Sequence, residues 1–236
     1  MFISSVFVFG LATLSLAAPP NKRAVAFFDP TLGGGSMLDD ASGGSSPSDL
    51  GEPLNVIISG LSSPAVLTDN GFLNFARAIG LGPSSTECLG IHLGGPQSAN
   101  LGDGNGYVNQ TSELRQDYGD AELGTCLESL IGGNHLRVYR QNGPTEDTGA
   151  LFLAVSKEEN VAEGHNIIPN GYNIGRDLLV QNATKTDPLP SFGGITYSAT
   201  LQQLTGLLPA GSAGVNHGIA TDGVTSLLTV TTVTTV

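Results

Sequence analysis

The sequence is short of several things. It has no Trp, two Cys and two Met in 236 residues, and nine Lys and Arg against 21 Asp and Glu, a formal net charge of −12. The scarcity of positive charge excludes a nucleic-acid binder, because that affinity comes from Lys and Arg on phosphates. Charged residues are only 13% of the chain, which excludes a solvated acidic tail. There is no Cys-x-x-Cys and no His-Glu-x-x-His, so the familiar zinc patterns are missing. There is no Gly-x-Ser-x-Gly elbow and no Walker lysine. Glu113, Asp117, Asp120 and Glu128 offer carboxylates for glycoside hydrolysis, but acids are common here and aromatic sugar platforms are few. Beyond residue 18 no run is long and apolar enough for a membrane helix.

What is present points first to processing. Residues 1–18 are apolar and uncharged and end in small residues, as in a secretory signal peptide. Residues 19–23 then form a short propeptide ending in Lys22-Arg23, a dibasic pair that is either cleaved or merely exposed. Residues 24–52 are rich in Gly and Ser and are expected to form a flexible linker. Secretion favours a disulfide between Cys88 and Cys126, the alternative being two buried thiols. Asn109 and Asn182 head Asn-x-Thr sequons and fit glycosylation. The expectation is a secreted, extracellular protein with no membrane anchor and no nucleic-acid partner. Its partner is unidentified, with the cell wall or another extracellular protein as the candidates.

The hydrophobic pattern places a globular domain over 53–236. Leu54–Ser59 reads as a buried strand and Val66–Ile79 as a helix capped by Thr68 or Asp69. Leu123, Leu127, Leu130 and Ile131 lie at helical spacing in a helix over 121–131 that Gly132-Gly133 ends. The runs 135–140 and 150–156 flank a stretch of turn formers and predict a hairpin. Its period of two puts His135, Arg137 and Tyr139 on one face. Asn173–Val180 suggests a helix, and 195–200 and 224–236 suggest late strands. The fold class is α+β, a single domain with a mainly antiparallel sheet and two to four helices.

The segment from Asn134 to Arg140, the strand to Val155, then His165-Asn-Ile-Ile-Pro169 and Asn173-Ile-Gly-Arg-Asp177 resemble the LssY carboxy-terminal domain family. That family carries His-His-x-Arg-x-Trp, a strand, His-x-Ile-x-Pro and Glu-Arg-Asp. The resemblance spans about residues 53–181. Asn134, Tyr139 and Gly175 depart from its His, Trp and Glu. It implies a similar fold and no particular reaction. The chain as a whole also resembles secreted proteins of basidiomycete fungi.

The candidate chemistry is the cluster His135, Arg137, His165, Arg176 and Asp177, drawn from residue types the chain uses sparingly. Arg176 offers a planar fork for an anion and His165 a base. Gathered around one open pocket, the five would make a small hydrolase or anion-binding site. Otherwise Arg176 and Asp177 pair with Glu158 or Arg137 and hold the hairpin and helix together. His92, His135, His165 and His217, with Asp103, Asp177 or Asp222, supply ligand types but not ligand spacing. The loop at Asp103 and Asn105 lacks the further acids of a calcium loop. No metal or cofactor is therefore expected. The leading reading is a non-enzymatic interaction protein, with the hydrolase as the alternative.

Overall fold

A computed structural model describes residues 25–42, 50–83, 87–88, 91–92, 95–120 and 123–233. The signal segment, the propeptide with Lys22-Arg23, and part of the Gly/Ser stretch lie outside the described residues.

Among the described residues the scaffold is an eight-stranded mixed sheet with three α-helices and two small two-stranded sheets. The first strand, β1 (Val56–Ile58), is buried on both faces, which explains its unbroken β-branched run. Thr68 caps α1 (Asp69–Ala78) by accepting a hydrogen bond from the Gly71 amide. Then follow β2 (Leu81–Pro83), the pair β3 (Glu87–Cys88) and β4 (Ile91–His92), and the pair β5 (Ser98–Asn100) and β6 (Tyr107–Asn109). Next come β7 (Ser112–Gln116) and α2 (Gly124–Ile131). The predicted hairpin forms as β8 (Gly133–Asn142) and β9 (Asp147–Glu158). Last are α3 (Gly171–Ala183), β10 (Ser191–Phe192), β11 (Ile195–Thr205) and β12 (Val224–Val233). The order across the sheet is β10-β11-β12-β1-β9-β8-β7-β2. Only β1 and β12 run parallel; the other described pairings in this sheet are antiparallel.

Strand alternation divides the apolar residues between two faces. Val56, Leu136, Val138, Leu153 and Val155 pack with Phe72 and Phe75 of α1 and Leu179 and Val180 of α3. Ile57, Phe152 and Ala154 face the other way, onto Met37, Leu101 and Leu208. The residue pair Gly175 and Ser156 sets how close α3 can lie, since a Cβ at Gly175 would come 2.4 Å from the Ser156 carbonyl carbon.

One expectation is corrected. The stretch expected to be a flexible linker is packed structure over residues 25–42 and 50–52. Met37 is buried, Leu38 bridges to Pro53, and Phe27 meets Phe152 edge to face at 6.2 Å. Low apolar content misleads here because a few anchors suffice to bury the segment. In α2 the apolar spacing does not mark the buried side. Its Thr125, Glu128 and Ser129 are buried, while Leu123, Leu127 and Ile131 are exposed. The helix sits with its polar side inward.

Cys88 and Cys126 form the disulfide, tying β3 to α2 across 38 residues. Because such a bond restricts the unfolded chain, replacing both cysteines by Ser should cost roughly 2–4 kcal/mol. Urea titration measures this, and unchanged stability would count against it.

Candidate functional site

The site grows from alternation on two neighbouring strands. Leu136 and Val138 of β8 point to the helical face, so His135, Arg137 and Tyr139 point to the other. In the β7–β8 register Glu113 lies opposite Arg137 and Arg115 opposite His135. Directly opposed residues share a face. Charge is thereby concentrated on a sheet surface that the chain then covers. Acids arrive from elsewhere: Asp39 and Glu52 from the N-terminal segment, Glu128 from α2, and Glu158 from the end of β9.

The contacts are continuous. Tyr139 Oη donates to Asp39 Oδ2 at 2.7 Å, and the Glu52 amide donates to Asp39 Oδ1 at 2.7 Å. Arg137 Nε lies 3.7 Å from Glu52 Oε2, and Arg137 Nη1 donates to Glu113 Oε2 at 2.6 Å and Gln110 Oε1 at 3.0 Å. Glu113 Oε1 lies 3.1 Å from His135 Nε2 and accepts from Arg115 Nη2 at 3.3 Å. On its other side, His135 Nδ1 is 3.4 Å from Glu158 Oε1. Arg115 Nη1 donates to Glu128 Oε2 at 3.0 Å and Ser129 Oγ at 2.7 Å. His165 closes the row, with Nε2 3.1 Å from Glu158 Oε2 and 3.1 Å from Arg115 Nη1.

Burial makes these contacts decisive, since an unpaired buried charge is far costlier than an exposed one. His135 is 1% exposed and Glu128 0%. Burial pushes Asp39 up from 3.8 to about 8, aided by the charge of Glu52. Burial and the charge of Glu158 push Glu128 up to about 7. For Glu113, burial works upward but is outweighed by His135, Arg137 and Arg115, which hold it well below the usual carboxylate range. For His135, burial works downward, yet Glu158 and Glu113 raise it. The shifts move the row towards neutrality.

The five candidates of the sequence are divided. His135, Arg137 and His165 belong to this row. Arg176 and Asp177 belong to a separate network at the other end of α3's neighbours. Arg176 Nε donates to Asp177 Oδ1 at 2.9 Å, and its Nη1 and Nη2 grip Asp222 at 2.6 and 2.8 Å. Arg176 Nη1 also donates to the Val224 carbonyl at 2.9 Å. The fork is spent fixing α3 to the start of β12, a partner 46 residues away that sequence proximity could not reveal. Sequence reasoning named Glu113 and Glu128 only as acids among many, offered Glu158 only as an ion-pair partner for Arg176, whose fork goes to Asp222 instead, and did not single out Asp39, Glu52 or Arg115. The usable signal was Glu113 and Arg115 two apart in a strand beside His135 and Arg137.

A cavity of about 300 Å³ is lined by Gly80, Asp117, Tyr118, Asn134, Lys157 and Leu179, among others, and does not include the charged row. Of the sequons, Asn109 is exposed on β6 and Asn182 is half-buried on α3. His217 is exposed, and the side chain of His92 lies outside what is described. Among the described residues no helix is long and apolar enough to cross a membrane.

Two outcomes follow from these networks. Unfolded Asp39 loses its proton near 3.8, whereas the folded state holds it up to about 8. The folded state therefore binds more protons between those values, and this group makes stability fall as pH rises from about 4 to 8. Asp39→Asn should flatten that slope in denaturant titrations at stepped pH; an unchanged slope would count against the assignment. Arg176→Ala should destabilise by roughly 2–3 kcal/mol, the partners being partly exposed, with Arg176→Lys recovering only part because Lys lacks the fork. A loss below about 0.5 kcal/mol, the level of an ordinary surface substitution, would contradict the structural role.

No family model, no curated protein and no solved structure matches this chain.

Proposed function

We propose that the chain is a secreted, glycosylated extracellular or cell-wall-associated protein that acts by interaction rather than by catalysis. The observation that carries this reading is the outward face of α2. Leu123, Leu127 and Ile131 are 65%, 39% and 58% exposed and recur every four residues, one line along a helix. A helix normally turns such a stripe inward. Here the inward side carries Glu128 and Ser129, bonded to Arg115, so the stripe is available outside. Tyr118, bonded to the Gly132 carbonyl at the end of α2, is also exposed, as is Val161 in a turn packed against α2.

Further support comes from the disulfide, the signal-type segment at residues 1–18, and the exposed sequon at Asn109. The resemblance to the LssY carboxy-terminal domain belongs to this proposal and adds no reaction to it. The hydrolase alternative needed five residues around one open pocket. Its Arg176 is instead held by Asp177 and Asp222, and its His135 is buried.

Cosedimentation with insoluble cell-wall material tests the reading, comparing the wild type with a Leu123→Asp/Leu127→Asp variant. The expected result is retention of the wild type and at least tenfold weaker retention of the variant, at nearly unchanged thermal stability. Equal retention of the two, or a hydrolytic activity of the wild type lost in His165→Asn, would overturn it.

A further inference from the structure

We propose that Glu128, Glu158 and His165 form a binding site for one first-row divalent cation of the Zn²⁺ type. This inference is independent of the interaction reading. One ligand atom from each of the three residues lies within 4.8 Å of the others. They come from three separate pieces of chain: α2, the end of β9, and the loop before α3.

The unsatisfied atoms point to a cation. Glu128 is 0% exposed; its Oε2 is taken by Arg115, and its Oε1 is buried without a hydrogen-bond partner. Glu158 Oε2 is likewise buried and without a hydrogen bond, and faces His165 Nε2 at 3.1 Å. His165 Nδ1 lies 3.1 Å from the Glu159 carbonyl oxygen. That carbonyl can only accept, so a proton sits on Nδ1 and Nε2 is the ring nitrogen that faces the carboxylates. The tautomer is the one that ligates metal through Nε2, with a backbone carbonyl orienting the ring. His165 Nε2 and Glu158 Oε2, 3.1 Å apart, are spaced as two ligands of a shared ion. With bonds of about 2.0–2.2 Å, neighbouring ligands in a coordination shell are about 3 Å apart.

Arg115 does not fill this role. Its Nη1 approaches His165 Nε2, but it has Glu128 Oε2 and Ser129 as partners, and Nη2 has Glu113. It serves the outer side of Glu128 and leaves Oε1 for the ion. One imidazole and two carboxylates suit Zn²⁺, Co²⁺ or Mn²⁺, with Zn²⁺ bound more tightly than Mn²⁺. Ca²⁺ prefers an all-oxygen set and is disfavoured. The Glu158 and His165 side chains are 13% and 17% exposed, which gives the ion a route in and leaves a coordination position for water.

The test uses the purified, disulfide-intact chain at pH 7.5, with Zn²⁺ titrated by calorimetry and Co²⁺ by visible absorption. His165→Asn is the variant of choice, because His165 has φ 51° and Asn tolerates that left-handed conformation. Glu158→Gln is the second variant, and His217→Asn, at an exposed histidine whose φ is also left-handed at 59°, is the control. The expected result is one Zn²⁺ per chain, at least tenfold weaker binding in both variants, and a change under twofold in the control. Zn²⁺ should also raise the melting temperature of the wild type and leave that of His165→Asn unchanged, since only a native-state ligand stabilises. No binding to the wild type at millimolar Zn²⁺, or wild-type affinity in His165→Asn, would overturn the site. So would Ca²⁺ binding as tightly as Zn²⁺.

Discussion

The carboxylate of Glu113 lies 2.6 Å from Arg137, 3.1 Å from His135 and 3.3 Å from Arg115, all in a covered layer on one side of the sheet. No one of those cations is tolerable there alone, and no carboxylate is either, because removing one partner leaves the other buried and uncompensated. The row must therefore be completed along its length. Asp39 and Glu52 complete it at one end, and Glu128, Glu158 and His165 at the other.

The chain's outer segments are arranged around that demand. The N-terminal stretch is drawn across the sheet because Asp39 meets Tyr139 and Glu52 meets Arg137, while Met37 adds an apolar anchor beside them. The same demand turns α2. Arg115 needs Glu128 and Ser129, and the disulfide at Cys126 fixes the helix nearby, so the leucine stripe goes outward. Stability and surface chemistry are linked through this rotation. A polar interior and an apolar exterior on one short helix are two sides of one placement.

Much of the scaffold was legible because local patterning and tertiary packing agree. The run at 54–59, the helix capped by Thr68, and the hairpin of β8 and β9 carry periods that match their burial. The shared face of His135, Arg137 and Tyr139 was legible too, since strand alternation is a local property. Agreement fails where a long-range ion pair outweighs the local pattern. In α2 the helical period was right, but the inward direction followed Arg115. At Arg176 the neighbour in sequence, Asp177, was a correct partner, while Asp222 could be known only from the fold.

From the sequence alone came the poverty in positive charge, the α+β class, the hairpin, and the identity of His135, Arg137 and His165 as scarce chemical groups. Composition and periodicity carry that much because they depend on single residues and near neighbours. The tertiary structure decided which of 21 acids meet those groups, which way α2 faces, and that residues 25–42 belong to the packed molecule. Those choices rest on contacts across tens of residues, where the energy of a buried charge depends on partners that no local pattern encodes.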